Sequence, residues 1–287
     1  MLRTATADPT SAKSFSSGVV VCGADAYADP SVEVIYGDCR DVMPLLPEGV
    51  FDACICDPPY GLHVADWDQD VPAIEVWREV LRLLKPGAVL VAFAARRLYD
   101  VLGWRVRQAG FLVKDQAIWM YRGGRAPSLC HLLPAHDPIL IARAPGKPIP
   151  INVDEARIPW LNEGDKKQAS RINPLRAAGR RRPVYHESLN AYGHEAFVAN
   201  DLGRYPTTVL ATDDVLGNMS HIFVVPKVRN AKAHVSAKPA ELMTQIVKVF
   251  VPKGGVVLDP YAGSGPVGEA ARATGRKAVP IEMTRAA

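Results

Sequence analysis

The chain has 287 residues, of which 48% are hydrophobic, 22% charged and 7% aromatic; these are the proportions of a globular enzyme with room for one large α/β domain and an insert. Its formal charge of +4, from 34 Lys and Arg against 30 Asp and Glu, is too small to mark a nucleic-acid binder, so the placement of basic residues matters more than their number. No apolar run approaches the ~18 residues of a membrane-crossing helix, and the N-terminus lacks a leucine-rich signal region, so the expected location is the cytoplasm, with no membrane partner.

Residues 1–30, rich in Ala, Ser, Thr and Asp, read as a mobile arm within which 19–22 can add a short strand. Regular alternation then begins. Residues 33–36 form a short apolar strand ending in Gly37-Asp38, and 41–46 a short helix. Phe51–Cys56 is a continuous apolar strand that ends in Asp57-Pro58-Pro59-Tyr60. A polar segment, 61–71, follows. Pro72 opens a helix to about Leu84, with Ile74, Trp77, Val80, Leu81 and Leu84 at helical spacing, and Lys85-Pro86-Gly87 stops it. Residues 88–94 are a strand, 98–109 a helix ended by Gly110, and 113–121 and 138–142 two more strands. Strands separated by helices predict an α/β fold with a doubly wound, mostly parallel sheet covered on both faces.

The pattern breaks near Pro145. Residues 145–220 have little periodicity and gather positive charge in Lys166, Lys167, Arg171, Arg176 and Arg180-Arg181-Arg182. So long an irregular segment inside a domain is functional or disordered. Order returns at 222–225. Residues 239–251 read as a helix and 256–258 as a strand; Asp259-Pro260-Tyr261-Ala262-Gly263-Ser264-Gly265 then turns into a helix through Ala273, and 278–281 is the last strand. The expected organisation is an arm (1–30), two halves of one sheet domain (31–144 and 221–287) and an insert between them (145–220). The cysteines, Cys22, Cys39, Cys54, Cys56 and Cys130, include no C-x-x-C pair. They read as free thiols, with Cys54 and Cys56 on one face of their strand.

Three constellations carry chemistry. Asp57-Pro58-Pro59-Tyr60 stands at the carboxyl end of a strand, where open parallel sheets bind ligands. Its prolines fix the backbone and remove two donors, leaving carbonyls beside a carboxylate and an aromatic ring. Such a site suits a planar group bearing an amine: Asp57 and a proline carbonyl accept its hydrogens, and Tyr60 stacks on the ring. Two acceptors localise a lone pair that would otherwise be delocalised, and they stabilise the charge that develops on attack. The second constellation is the turn Asp259 to Gly265 before a helix, where glycines admit close approach and the helix N-terminus favours anions. About twenty residues on, Glu282 is placed to hold the two hydroxyls of a ribose. The third is His234-Val235-Ser236-Ala237-Lys238-Pro239, in which Ser236 and Lys238 can reach a carboxylate; alone it reads as ordinary helix capping.

Together, and in this order, the three motifs resemble those of the DNA amino-methyltransferases of the β class, which also have a Gly-Asp before the catalytic strand (here Gly37-Asp38) and a helix ending L-K-P-G (here Leu84 to Gly87). The resemblance covers about 33–143 and 221–283, with Val235, Ser236 and Pro266 departing from the usual residues and the chain ending at Ala287 where family members continue with a helix. It implies a Rossmann-like fold that uses S-adenosylmethionine and no metal, with the insert as target-recognition region. Asp57, Pro58, Pro59 and Tyr60 would hold a base flipped out of double-stranded DNA. Asp259, Tyr261, Gly263 and Gly265 would wrap the cofactor, Glu282 would hold its ribose, Ser236 and Lys238 would lie near its methionine end, and Asp38 near its adenine. In that family Asp in the first motif position goes with adenine N6 and Ser with cytosine N4, so Asp57 implies an adenine-specific DNA methyltransferase. A homodimer, a restriction endonuclease partner and a bacterial or phage-infected host enter on the resemblance alone.

DNA contact is expected from the basic insert and from Arg122-Gly123-Gly124-Arg125. The polar segment 61–71, with His63, Asp66, Trp67 and Asp68, can close over the base, with Trp67 either stacking on a base or, the favoured reading, packing into the core or the lid. Cys130, His131 and His136 are too sparse a set for a metal site. Cytosine N4, RNA or a glutamine side chain as acceptor, and a non-catalytic DNA-binding module, stand as alternatives.

Overall fold

The computed structural model describes residues 34–121, 135–157 and 238–283, together with Glu163 and the strand positions 13–14, 20–21, 209–211 and 223–224. In chain order these give β1 (Lys13–Ser14), β2 (Val20–Val21), β3 (Ile35–Tyr36), α1 (Cys39–Val42), β4 (Phe51–Cys56), α2 (Ile74–Leu83), β5 (Leu84–Phe93), α3 (Tyr99–Gln108), β6 (Leu112–Met120), β7 (His136–Arg143), β8 (Val209–Ala211), β9 (Phe223–Val224), α4 (Ala240–Phe250), β10 (Val256–Asp259), α5 (Pro266–Ala273) and β11 (Lys277–Glu282). All the strands join one sheet in the order β1-β2-β3-β11-β10-β4-β5-β7-β6-β8-β9. The block β3-β11-β10-β4-β5 is parallel.

β7 runs against both of its neighbours, β5 and β6, where strict alternation of strand and helix would make it parallel. The sequence between β6 and β7 holds Gly123, Gly124, Pro127 and Pro134 and no helical period, whereas parallel neighbours need a long crossover connection. The expected short strand at 19–22 is β2, which pairs antiparallel with β3. Leu84 begins β5 rather than ending α2, so the L-K-P-G segment lies inside the strand. Gly87 sits there at φ +77, and a Cβ on it would meet the Lys147 carbonyl oxygen at 1.8 Å; only glycine lets the two backbones pass.

Strand alternation divides the core between the two faces of the sheet. Cys54 and Cys56 of β4 pack with Trp77, Val80 and Leu83 of α2 and with Leu102 and Val106 of α3. Ala53 and Ile55 face the other way, onto Leu242, Met243, Ile246 and Val247 of α4 and Val267, Ala270 and Ala271 of α5. Both layers follow from i, i+3, i+4 spacing of apolar residues on the helices. Cys39, Cys54 and Cys56 are free and buried; burial raises the thiols of Cys39, to about 11, and of Cys56, which leaves both protonated and unreactive.

The head of the expected insert is pinned to this core. Asn152 donates to the carbonyls of Lys248 and Val251 at 3.1 and 2.8 Å, and Glu155 pairs with the buried Arg276 at 3.1 Å. The rest of 158–220 lies outside the described residues apart from Glu163 and β8. No helix among the described residues is long and apolar enough to cross a membrane.

Trp77 is the largest wholly buried side chain, and its Nε1 donates to the Pro72 carbonyl at 3.2 Å. Trp77→Ala is expected to lower the unfolding free energy by about 3–5 kcal/mol, read from a denaturant midpoint at unchanged slope; a loss under about 1 kcal/mol would show that α2 does not anchor its face of the sheet.

Candidate active site

β4 and β10 are parallel neighbours, with Val257 opposite Ala53 and Leu258 opposite Cys54. Asp57, one residue past β4, and Asp259, at the end of β10, therefore emerge at the same edge. It is also where the strand order reverses, because β5 lies outward of β4 on one side and β11 outward of β10 on the other. Such a reversal opens a crevice at the carboxyl ends of the strands. β11 and β3 are parallel to β10, which carries Glu282 and Gly37-Asp38 to that edge as well. The Gly37 N–H donates to the Glu282 carbonyl at 2.9 Å.

On the β4 side the side chains form a closed network. The Tyr60 hydroxyl donates to Asp57 Oδ1. Lys238 Nζ donates to Asp57 Oδ2 at 2.5 Å and to the Tyr60 hydroxyl at 3.0 Å. Its ammonium stands 5.0 Å from the centre of the Phe93 ring and 5.4 Å from that of Tyr60, where a ring face attracts a cation. The Lys238 side chain is 6% exposed and that of Asp57 27%, so the carboxylate keeps one side open. Burial, with Asp57 adding to it, pushes the Tyr60 phenol well up, so it remains a donor. Lys238 thus stands on the proline-rich turn, 181 residues away in sequence.

On the β10 side the glycine turn closes onto β11. Gly263, at φ +52, donates its N–H to Glu282 Oε2 at 2.6 Å, and nothing lies within 4 Å of where a Cβ would project. Gly265, at φ +82, caps α5, with Pro266 in the first turn, where its missing N–H costs no helix bond. Asp259 is buried, accepts the Tyr261 N–H at 3.1 Å, and is pushed up to about 8 by that burial. Tyr261 packs beside Cys39 and is raised by burial too. Asp38 caps α1 by accepting the Arg40 N–H at 2.8 Å and pairs with the Arg40 guanidinium, which holds its carboxyl below the ordinary range.

Trp67 does not pack into the core: it is 52% exposed, as are Leu62 (44%) and Val64 (72%) on the same segment. The buried polar member of that segment is Asp68, at 1%, which hydropathy gives no reason to place inside. His234, Val235, Ser236, the 122–125 loop, Cys130 and His131 lie outside the described residues. His136 opens β7, and no group of metal-ligating residues occurs among the described residues.

The chain is similar to known DNA methylases in sequence and in fold. A family model described as "DNA methylase", that of the N6/N4 methyltransferases, matches residues 51–287. The chain is 22% identical over 272 residues to the DNA adenine methyltransferase YhdJ of Escherichia coli K12, covering 91% of this chain and 82% of that enzyme. It is 22% identical over 276 residues to the type II methyltransferase M.ScaI of Streptomyces caespitosus, covering 91% and 80%. Among solved structures it is similar in fold to M1.HpyAVI, with a TM-score of 0.54 at 16% identity over 88% of this chain and 93% of that one. It is likewise similar to the PvuII cytosine-N4-specific DNA methyltransferase, with a TM-score of 0.55 at 14% identity over 88% and 82%. The matched residues take in both turns and the network between them, and the chain belongs to the N6/N4 DNA methylase family.

Proposed function

We propose that the chain transfers a methyl group from S-adenosylmethionine to the exocyclic N6 amine of an adenine extruded from duplex DNA. The observation that carries the reading is the parallel pairing of β4 with β10, which sets the Asp57 turn and the glycine turn side by side at one sheet edge.

The residues on the β10 side suit that cofactor. Gly263 leaves open space at a turn only glycine adopts easily. The Glu282 carboxylate, which accepts the Gly263 N–H, ends the adjoining strand beside the turn, where it would accept from a ribose diol. Gly265 and Tyr261 complete the wall, Asp259 braces the turn from inside, and Asp38 closes the end beside β3. Ser236 is assigned to the methionine end with them. When bound, the cofactor would supply an electrophilic methyl on a sulfonium: its carbon–sulfur bond breaks as the carbon–nitrogen bond forms, a neutral thioether leaves, and the methylated amine sheds one proton to solvent.

On the β4 side, Asp57 accepts a hydrogen from the target amine. A carboxylate has about four lone-pair sites, so the bonds from Tyr60 and Lys238 leave room for it. A carbonyl of Pro58 or Pro59 accepts the second hydrogen. Both acceptors draw the amine toward tetrahedral geometry and favour the positive charge that grows on nitrogen. Lys238 and Tyr60 hold the carboxylate in one orientation, so no reorganisation is required at the moment of attack. Asp rather than Ser at position 57 favours adenine over cytosine. The region after Arg157, with its Lys and Arg cluster, is assigned to reading the DNA, between a catalytic half (31–144) and a cofactor half (221–287).

Asp57→Ala is expected to abolish transfer of radiolabelled methyl groups to unmethylated genomic DNA while calorimetric binding of S-adenosylmethionine persists; turnover at the wild-type rate would remove Asp57 from the mechanism. Glu282→Ala is expected to weaken cofactor binding roughly 10- to 100-fold, the loss of a charged hydrogen-bond acceptor, and an unchanged titration would place the ribose elsewhere. Asp259 gives a pH signature. With its folded value raised from 3.8 to about 8, the folded state keeps a proton that the unfolded chain releases across that window. This contribution to stability is full below 3.8, falls as pH rises to about 8 and is level above. Asp259→Asn cannot ionise, so its melting temperature relative to wild type should climb from pH 5 to pH 8; a difference that stays constant with pH would contradict a neutral carboxyl at the turn.

A further inference from the structure

Past the catalytic turn the chain enters a polar surface segment, yet one of its carboxylates is buried. Asp68 is 1% exposed. Its Oδ1 accepts the main-chain N–H groups of Tyr60 at 2.6 Å and Gly61 at 2.8 Å. Its Oδ2 accepts those of Leu62 at 3.0 Å and Val64 at 3.4 Å. Its own main chain closes the ring: the carbonyl accepts the His63 N–H at 2.9 Å, and the N–H donates to the Ala65 carbonyl at 3.0 Å. No cation pairs with Asp68 among the described residues; backbone dipoles alone solvate the charge, and hydrogen bonds to a charged acceptor are the stronger kind.

Turning so many amides toward one point requires unusual backbone. Gly61 is at φ +66, and His63, at φ +56, is the non-glycine residue of positive φ among the described residues. Such a conformation persists only where the surroundings over-determine it. The far end of the segment is tied separately, by Arg105 of α3 to the Asp70 carboxylate at 2.8 Å and to the Val71 carbonyl. The segment is therefore a braced loop whose first residue is Tyr60, and the Tyr60 hydroxyl in turn holds Asp57.

We infer that Asp68 is a positioning residue for methyl transfer: its carboxylate fixes the main chain of 60–64 and so sets the Tyr60 side chain against Asp57 before the base arrives. The inference rests on the function proposed above. Asp68 touches neither turn residue on the β10 side, so its effect belongs to the chemical step and to the base, not to the cofactor. A displacement of about 1 Å in a catalytic group costs on the order of 10²-fold in rate, and the clamp prevents displacements of that size.

The test uses the whole chain with Asp68→Asn, which keeps one carbonyl oxygen and turns an amide toward two of the donors. Asp68→Glu, which keeps the charge but shifts the oxygens, serves as second variant should the first fail to fold. Glu48→Gln, exposed on the stretch that leads into the amino end of β4, is the control. Single-turnover methylation of unmethylated genomic DNA, normalised to the calorimetric stoichiometry of S-adenosylmethionine, should fall roughly 10- to 100-fold in the Asp68 variants. Cofactor affinity should stay within about twofold, and Glu48→Gln should match wild type. Amide exchange of 60–64 should be slow in wild type and fast in the Asp68 variants. Wild-type turnover in those variants, loss of cofactor binding in step with rate, or fast exchange of 60–64 in wild type would each overturn the inference. A wild-type chain that methylates nothing would instead remove the function proposed above, with the exchange experiment still deciding whether the clamp exists.

Discussion

The parallel pairing of β4 with β10 joins segments 204 residues apart, as the bond from the Val256 N–H to Asp52 at the other end of these strands records. Each strand alone is a short apolar run ending in a turn. Side by side they bring a carboxylate on a proline-braced turn next to a glycine turn that leaves space for a ligand. Every other feature of the site is arranged around that adjacency: β11 supplies Glu282, β5 supplies Phe93, and the start of α4 supplies Lys238.

The adjacency is held at both ends of the strands. At the amino end Asp52 ties β4 to Lys85 at 2.6 Å and to Val256 at 2.9 Å. At the carboxyl end Lys238 ties the segment entering α4 to Asp57. Between them alternating apolar side chains key β4 into both helix layers, so neither turn can shift without breaking a core. The site therefore inherits its rigidity from the sheet, and the loop at 60–70, which departs from the sheet beside the catalytic turn, carries its own brace in Asp68.

Much of this was legible in the residues. The element order, the shared face of Cys54 and Cys56 and the position of both turns follow from local periodicity and turn chemistry, which depend on near neighbours in sequence. Local signals fall short where a partner lies far away in sequence. A lysine before a helix shows only its reach, and the bond from Lys238 to Asp57 depends on how β4 and the segment entering α4 come together. Asp68 sits among polar neighbours, so hydropathy assigns it to solvent, and only the inward-turned amides of 60–64 reveal why it is buried. Trp67 shows the converse: its ring is apolar enough for the core, yet its side chain stands half exposed beside the buried Asp68. The reversal of β7 lay in a Gly- and Pro-rich connection that signals the absence of a crossover helix more clearly than the direction of the strand that follows.

The account comes down to whether a nucleobase amine meets a methyl donor across the crevice between β4 and β10. Mass spectrometry of nucleosides from the DNA of cells expressing the chain, beside cells carrying an empty vector, tests this most directly. The account predicts N6-methyladenine present only where the chain is expressed. N4-methylcytosine would keep the crevice and correct the base, whereas DNA with no methylated amine from an expressed, folded chain would contradict the account.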